Sequence, residues 1–184
     1  MTAIDPTTQT DLGRRVRRHE PLYGEIVEHL EDEVQLLDDN DLMGWYQLLA
    51  EDVVYRAPVV VTRAKGERSP YETEMAHFDE NAMTIFLKVM RMTQTQSAWA
   101  ENPASRTRRI VSNVRVFATD VADEHRVESS ILLLRSRYDE SAYDLLSGRR
   151  VDRLRRVDGG FKLAERTIYF DQATLGVQNL AVYL

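Results

Sequence analysis

The residues in this sequence that are best suited to chemistry are its four histidines, His19, His29, His77 and His125. A non-haem iron site needs two histidines and a carboxylate that converge on one face. No two of these histidines stand four residues apart beside a carboxylate, so their spacing does not predict a metal site. A general acid–base pair needs only one histidine and one carboxylate in a pocket. Asp52 with His77 or His125 is a candidate pair of this kind, although nothing local singles it out.

The absence of cysteine limits the redox chemistry open to the chain. Disulfides, thiolate catalysis, cysteine-based zinc sites and a self-contained iron–sulfur cluster are excluded, because each of them needs cysteine. A Rieske centre needs two cysteines as well as two histidines, so this chain cannot hold one. The sequence also has no G-x-S-x-G, P-loop or G-x-G-x-x-G motif. Acyl transfer and nucleotide or dinucleotide binding are therefore without support.

Composition and charge are those of a globular domain. Hydrophobic residues make up 43% of the chain and the formal net charge is −6, so no overall basic field attracts nucleic acid. Arg14, Arg15, Arg17 and Arg18 look like the start of an export signal, but acidic residues follow instead of an apolar run. The apolar run at 131–134 is too short to span a bilayer. We expect a cytoplasmic protein that binds neither nucleic acid nor membrane, with the arginine cluster as a solvated arm or a partner contact.

The first half of the chain is predicted to be largely helical. Apolar residues recur at helical spacing over residues 22–37, and a second helix is predicted over 42–49. A third helix is predicted to begin after Asp79, which serves as its N-cap, and to run to about Met92. Residues 1–20 are predicted to be a flexible arm ahead of a single domain over 21–184.

The second half of the chain is predicted to be a run of long strands. Asp158, Gly159 and Gly160 predict a hairpin turn between the last two of them. The segment 53–61 is predicted to be a kinked or edge strand, because Pro58 interrupts it. The other predicted strands cover residues 108–119, 124–137, 148–157 and 161–170. Helices followed by strands predict an α+β domain in which a curved antiparallel sheet wraps around N-terminal helices as a cone with a concave pocket.

Five arginines between residues 149 and 156 could indicate a nucleic-acid patch. Side chains alternate along a strand, so these guanidinium groups would be divided between two faces. The interleaved aromatic residues on which single-stranded nucleic acid stacks are missing. Buried or interfacial pairing with carboxylates is the preferred interpretation for Arg149, Arg150, Arg153, Arg155 and Arg156.

Two segments, Ala76–Glu80 and Ala98–Arg108, resemble the small (β) subunits of bacterial aromatic-ring-hydroxylating dioxygenases, and the toluene/biphenyl branch in particular. The run from Trp99 to Arg108 is the most specific part of the likeness. Ile110–Val114 and Gly148–Asp152 extend it, and it covers roughly residue 22 to the C-terminus. Arg109 departs from the pattern, since many members have histidine there.

The resemblance implies a nuclear-transport-factor-2-like (NTF2-like, or cystatin-like) cone, in agreement with the α+β pattern. It also implies an α3β3 hexamer in which the α subunit carries a Rieske [2Fe-2S] cluster and a mononuclear Fe(II), while this chain holds no cofactor and no catalytic residue. Electrons from NADH would arrive through a reductase and a ferredoxin. The complex would convert an arene to a cis-dihydrodiol with O2.

Two functions remain open at this point. One is the structural β subunit, and the other is a free-standing isomerase or dehydratase that uses a pocket Asp–His pair, since one fold hosts many functions. The loop from Trp99 to Arg109 favours the first, because tryptophan and arginine together are typical of interface anchors. We therefore predict that Trp99, Arg106, Arg108 and Arg109 lie at or beside contacts with the α subunit or with other β subunits. The competing interpretation is that Trp99 belongs to the core and Arg106 pairs with an acidic residue of this same chain.

Overall fold

A computed structural model describes residues 13–62, 70–94, 104–139, 141–177, 179–180 and 182–184. Trp99, one of the predicted interface residues, lies outside these ranges. In the part of the chain that the structure describes, no helix has the length and apolar character needed to cross a membrane.

Three helices and seven strands make up the described fold. The helices are α1 (Pro21–Asp38), α2 (Leu42–Tyr46) and α3 (Ala82–Gln94). The strands are β1 (Arg15–Val16), β2 (Leu49–Val60), β3 (Tyr71–Asn81), β4 (Arg106–Ala118), β5 (Glu124–Ser136), β6 (Asp144–Val157) and β7 (Gly160–Phe170). They form one sheet in the order β1-β4-β5-β6-β7-β2-β3. All neighbours are antiparallel except β2 and β7, which run parallel.

The four C-terminal strands confirm the predicted α+β cone. Buried positions alternate with more exposed ones along them, as the burial pattern of β6 shows. The hairpin turn between β6 and β7 lies where it is predicted, and Gly159 has a φ of 88° there, in the left-handed region that glycine adopts without strain. Helix α1 packs against β4 and β7, and its apolar face, with Ile26 and Leu30 fully buried, covers the inner side of the sheet.

The predicted start of the third helix is wrong. Asp79 is the partner of Arg56 in the β2–β3 ladder, so it lies in a strand rather than at an N-cap. The cap is Asn81, whose side-chain oxygen accepts from the Thr84 N–H at 3.0 Å while the Thr84 hydroxyl accepts from the Asn81 N–H at 2.9 Å. This reciprocal pair satisfies two backbone donors at the helix start. Asp79 alone could not do so from an extended strand.

The structure also changes the prediction for 42–61. The second helix ends at Tyr46, and Leu49 already begins β2. Strand β2 is not an edge strand, since it lies between β7 and β3. Pro58 is tolerated because the pairing of β2 with β3 shifts register on both sides of it, and a bulge is where a strand can accept a residue without an N–H.

The short strand β1 pairs with β4 through Arg15 opposite Phe117 and Val16 opposite Val116. Val16 is 1% exposed and joins the core. The segment before α1 is thus attached to the sheet from Arg15 onward.

Candidate functional site

Four charged side chains fill the interior of the cone where a pocket is predicted. Arg166 of β7 donates two hydrogen bonds to the Glu33 carboxylate, at 2.6 and 2.8 Å, and two to the Asp152 carboxylate, at 2.9 and 2.8 Å. All three residues are at most 2% exposed. The planar guanidinium matches both carboxylates with paired hydrogen bonds, which is the arrangement that makes a buried ion pair tolerable.

Arg150 completes this buried ion cluster, which we define as Glu33, Arg150, Asp152 and Arg166. Its Nη1 lies 3.4 Å from Glu33 Oε2, and its Nε donates to the Ser129 hydroxyl at 3.3 Å. Two guanidinium groups thus face two carboxylates, so the cluster is neutral overall. The neighbouring strands β6 and β7 position it, since Asp152 and Arg166 are directly opposed in their ladder.

The electrostatics of the cluster oppose acid–base chemistry at neutral pH. Burial alone raises the pKa of Glu33, but the charges of Arg166 and Arg150 outweigh it and hold that pKa at about 2. Its Oε1 also accepts from the Trp45 indole N–H at 3.2 Å. A carboxylate with so low a pKa and with both oxygens engaged is a poor general base or acid.

The C-terminal residues close the same interior. Tyr55 Oη donates to the Leu184 carbonyl at 2.7 Å and accepts from the Leu184 N–H at 2.8 Å. Arg166 also donates to the Leu184 carbonyl at 2.8 Å. The Tyr183 ring stacks on Trp45 with the ring centroids 4.2 Å apart. Among the described residues, Tyr55, Tyr183 and Leu184 therefore pack around the cluster.

The candidate acid–base pair is not formed. Asp52 lies at the surface and accepts two hydrogen bonds from Arg155, at 2.9 and 3.0 Å. The hydrogen bond from Arg155 lowers the pKa of Asp52, although burial acts in the opposite direction. Within the described ranges, no hydrogen bond joins Asp52 to His77 or His125.

The partly buried histidines contact aromatic rings rather than carboxylates. His29 and His125 lie edge-on to Phe161, with centroids 5.8 and 6.2 Å away, and His77 lies edge-on to Phe170 at 5.7 Å. Burial lowers the pKa of all three, so the neutral form is favoured. The residues that the structure describes contain no group of three His, Asp or Glu that could hold a metal ion.

Four of the five arginines in this stretch of β6 pair with carboxylates, as predicted, whereas Arg149 contacts the Tyr169 ring instead. Arg150 lies in the buried cluster, and Arg155 binds Asp52. Arg153 reaches Glu165 at 3.1 Å and Arg156 reaches Glu25 at 2.5 Å. The stretch is divided between the two faces of the sheet, and its inner member is the one that is fully buried.

The three predicted interface residues that are described lie close together on β4 but in different surroundings. Arg106 is exposed and donates to the Ser136 hydroxyl at 3.1 Å and the Tyr138 carbonyl at 2.6 Å. The side chain of Arg108 is 67% exposed. Arg109 is buried in this chain, where it pairs with Asp38 at 2.5 Å and donates to the Tyr183 carbonyl. Arg106 and Arg108 could reach a partner, whereas Arg109 ties β4 to α1 and to the C-terminus.

Sequence reasoning did not single out Glu33, Asp152, Arg166 or Tyr183. One signal was present, because Glu33 lies on the same helical face as Ile26, Leu30 and Leu37. A charged residue in an apolar stripe indicates a buried partner of opposite charge. The sequence carries no comparable signal for Tyr183.

A curved sheet around N-terminal helices, with a buried and charge-balanced ion cluster among the described residues, is the architecture of an NTF2-like domain. Comparisons with known proteins identify the family. Residues 32–176 match the family described as ring hydroxylating beta subunit, and the chain belongs to that family. It is therefore a β subunit of an aromatic-ring-hydroxylating dioxygenase, which implies an α subunit as its partner.

Named relatives cover nearly the whole chain. It is 37% identical to the benzene 1,2-dioxygenase subunit beta of Pseudomonas putida, over 98% of this chain and 99% of that one. It is 38% identical to the biphenyl 2,3-dioxygenase subunit beta of Rhodococcus jostii strain RHA1, over 88% of each chain. A solved structure of naphthalene 1,2-dioxygenase with bound indole is similar, with a TM-score of 0.82 and 25% identity over 93% of this chain and 90% of that chain. The predicted fold and family are thus confirmed.

Proposed function

We propose that this chain is a structural subunit that contributes no reacting group to the dioxygenase. Its α subunit would carry the Rieske cluster and the mononuclear Fe(II). The complex would be an α3β3 hexamer that converts an arene to a cis-dihydrodiol with O2 and with electrons from NADH, delivered through a reductase and a ferredoxin. A cytoplasmic location fits this supply of NADH.

The observation that carries the proposal is that three carboxylates of the described residues, Glu33, Asp152 and Asp52, are held by arginines. Glu33 and Asp152 are committed to Arg166 and Arg150, and Asp52 is committed to Arg155. The lack of cysteine adds that a Rieske cluster cannot be held here. The isomerase or dehydratase alternative is not favoured, because its Asp–His pair is not formed and the family is that of β subunits.

The subunit contact is part of the proposal. Arg106 and Arg108 present guanidinium groups on β4, which follows the segment containing Trp99 in the sequence. Arginine pairs with carboxylates of a neighbouring subunit through two parallel hydrogen bonds. We place a contact with the α subunit or another β subunit at this surface, with Arg109 beneath it.

The proposal is tested with the isolated chain and with the reconstituted complex. The α subunit is identified in the same genome by its C-x-H and C-x-x-H ligand pairs. Purified alone, this chain should be colourless, retain no iron and turn over no arene with any electron donor. Combined with its α subunit, it should form one complex that oxidises an arene. Stoichiometric iron or a Rieske-type absorbance in the isolated chain would overturn the proposal.

A further inference from the structure

A basic cleft lies on the outer face of the sheet, near the start of the chain. It has a volume of about 360 Å³. We define it by the residues that line it and that the argument uses, which are Arg15, Arg18, Asn113, Arg115, Glu128 and Arg149. It opens where the pairing of β4 with β5 shifts register between Ser112 and Arg115. Asn113 has a φ of 55° at this bulge and donates to the Ser130 hydroxyl at 3.2 Å.

The arginines of the basic cleft face away from the core. Successive side chains of a strand point to opposite faces. Arg15 therefore points away from the side of Val16, which is 1% exposed, and Arg149 points away from the side of Arg150, which is fully buried. Helix α1 lies on that inner side, since its Glu33 reaches Arg150. The cleft is thus on the opposite surface from the buried ion cluster.

The cleft carries positive charge that the described residues do not neutralise. Its one carboxylate, Glu128, is already shared by Arg115 at 2.6 Å and Arg126 at 2.8 Å. Arg149 contacts the Tyr169 ring, with its guanidinium carbon 5.3 Å from the centroid. Within the described ranges, neither Arg15, Arg18 nor Arg149 has a carboxylate within salt-bridge distance.

Three arginines together without a carboxylate nearby are unusual in the described part of this chain. Its formal net charge is −6, and the nearby outer-face arginines Arg153 and Arg155 do reach carboxylates. The N-terminal arginine run is also divided, because Arg14 bonds to Glu20 at 3.0 and 2.9 Å while Arg15 and Arg18 line the cleft. Three like charges held together without a counter-charge repel one another, and an anionic partner would remove that cost.

We propose that the basic cleft binds an acidic segment of the α subunit, with carboxylate side chains paired to Arg15, Arg18 and Arg149. The proposal rests on the proposed function, since it needs an α subunit. A protein segment fits better than a small free anion, because three guanidinium groups from separate parts of the chain call for several carboxylates at once. Arginine presents a planar fork to each carboxylate and is a frequent interface anchor.

The test is charge reversal followed by titration of the α subunit. The variants are Arg15→Glu with Arg18→Glu, and separately Arg149→Glu. The matched control is Arg17→Glu, which makes the same charge change in the same arginine run but does not line the cleft. Circular dichroism and thermal unfolding establish that each variant is folded. Affinity for the α subunit is measured at several salt concentrations.

We expect each cleft variant to bind the α subunit about tenfold or more weakly than wild type, and the control to bind as wild type does. The affinity of the wild-type chain for the α subunit should also fall more steeply with salt than the affinity of the variants. The variants have fewer charge pairs for salt to screen. The proposal is overturned if folded cleft variants bind the α subunit unchanged. It is also overturned if the cleft variants change only the self-association of this chain. Binding of inorganic phosphate or benzoate at the cleft, when either is titrated into the wild-type chain, would overturn it as well. If the wild-type chain binds no α subunit at all, the proposed function itself fails.

Discussion

Arg166 and Glu33 meet through two parallel hydrogen bonds of 2.6 and 2.8 Å inside the sheet, although 133 residues separate them in the sequence. The pair joins β7 to α1, and Asp152 and Arg150 extend it across β6. Among the described residues, this buried ion cluster therefore occupies part of the interior where the sequence predicts a pocket. The same contacts make the stability of the subunit depend on a few buried charges.

Removing one member of the cluster should therefore be costly. Glu33→Gln leaves two buried guanidinium groups facing a single carboxylate. We expect the free energy of unfolding to fall by about 3–5 kcal/mol, as for other broken buried pairs. Glu25→Gln is the matched control on the same helix, because Glu25 pairs with Arg156 at the surface, where such pairs contribute about 0–1 kcal/mol. Urea unfolding of both variants measures the difference, and equal losses would contradict the role of the cluster.

The low pKa of Glu33 also predicts how stability depends on pH. In the folded chain this pKa is about 2, whereas an unfolded glutamate has an ordinary value of about 4.3. Because the folded-state pKa is lowered, the stabilisation from ionised Glu33 is fully present when the pH is above the pKa of an unfolded glutamate. It is lost as the pH falls toward 2. The free energy of unfolding should decrease between about pH 5 and pH 2. The fall should be smaller in Glu33→Gln, and an unchanged slope in that variant would count against this assignment.

Tyr55 should hold the C-terminal residues in place. Tyr55→Phe removes a hydroxyl that both donates to and accepts from Leu184, leaving the buried Leu184 N–H without its partner. We expect a loss of about 1–3 kcal/mol in the free energy of unfolding and faster hydrogen exchange at the C-terminus. Tyr143→Phe is the control, because Tyr143 is 65% exposed. Slow exchange at the C-terminus of Tyr55→Phe would show that other contacts suffice.

The predicted contact at β4 is tested by Arg106→Glu and Arg108→Glu. Both side chains are exposed, so the variants should fold. Loss of a buried interfacial charge pair costs about 2–5 kcal/mol, enough to weaken assembly visibly. Co-purification with the α subunit and sizing of the complex report the effect, with Arg17→Glu as a control. Full-sized complexes of unchanged affinity from both variants would place the contact elsewhere.

Much of the fold could be predicted from sequence, because its strands alternate clearly and its first helix has an apolar stripe. The start of α3 was predicted wrongly because two nearby residues are both suited to cap it. Asp79 and Asn81 are both good N-cap residues, and Asn81 is the cap because β3 continues past Asp79 to Asn81, directly before α3. Tertiary pairing is not visible in a local pattern.

The site was harder to predict than the fold. Glu33 could have been found, since it is a charged residue on the buried face of α1. Its partners come from β6 and β7, more than a hundred residues away, and spacing does not reveal such contacts. The predicted carboxylate pairing of Arg150 and Arg155 was correct, and strand alternation places the two side chains on opposite faces of the sheet.

The central claim is that this chain supplies no reacting group, and kinetics of the reconstituted complex test it most directly. Asp52→Asn, His77→Ala and His125→Ala remove the acid–base candidates that sequence suggests. With the complex intact by size, each variant should show a kcat within about twofold of wild type, because only groups that act in the transition state lower kcat. Any effect should appear in assembly or stability instead. A hundredfold or larger fall in kcat with an intact complex, in any one of these variants, would contradict the account.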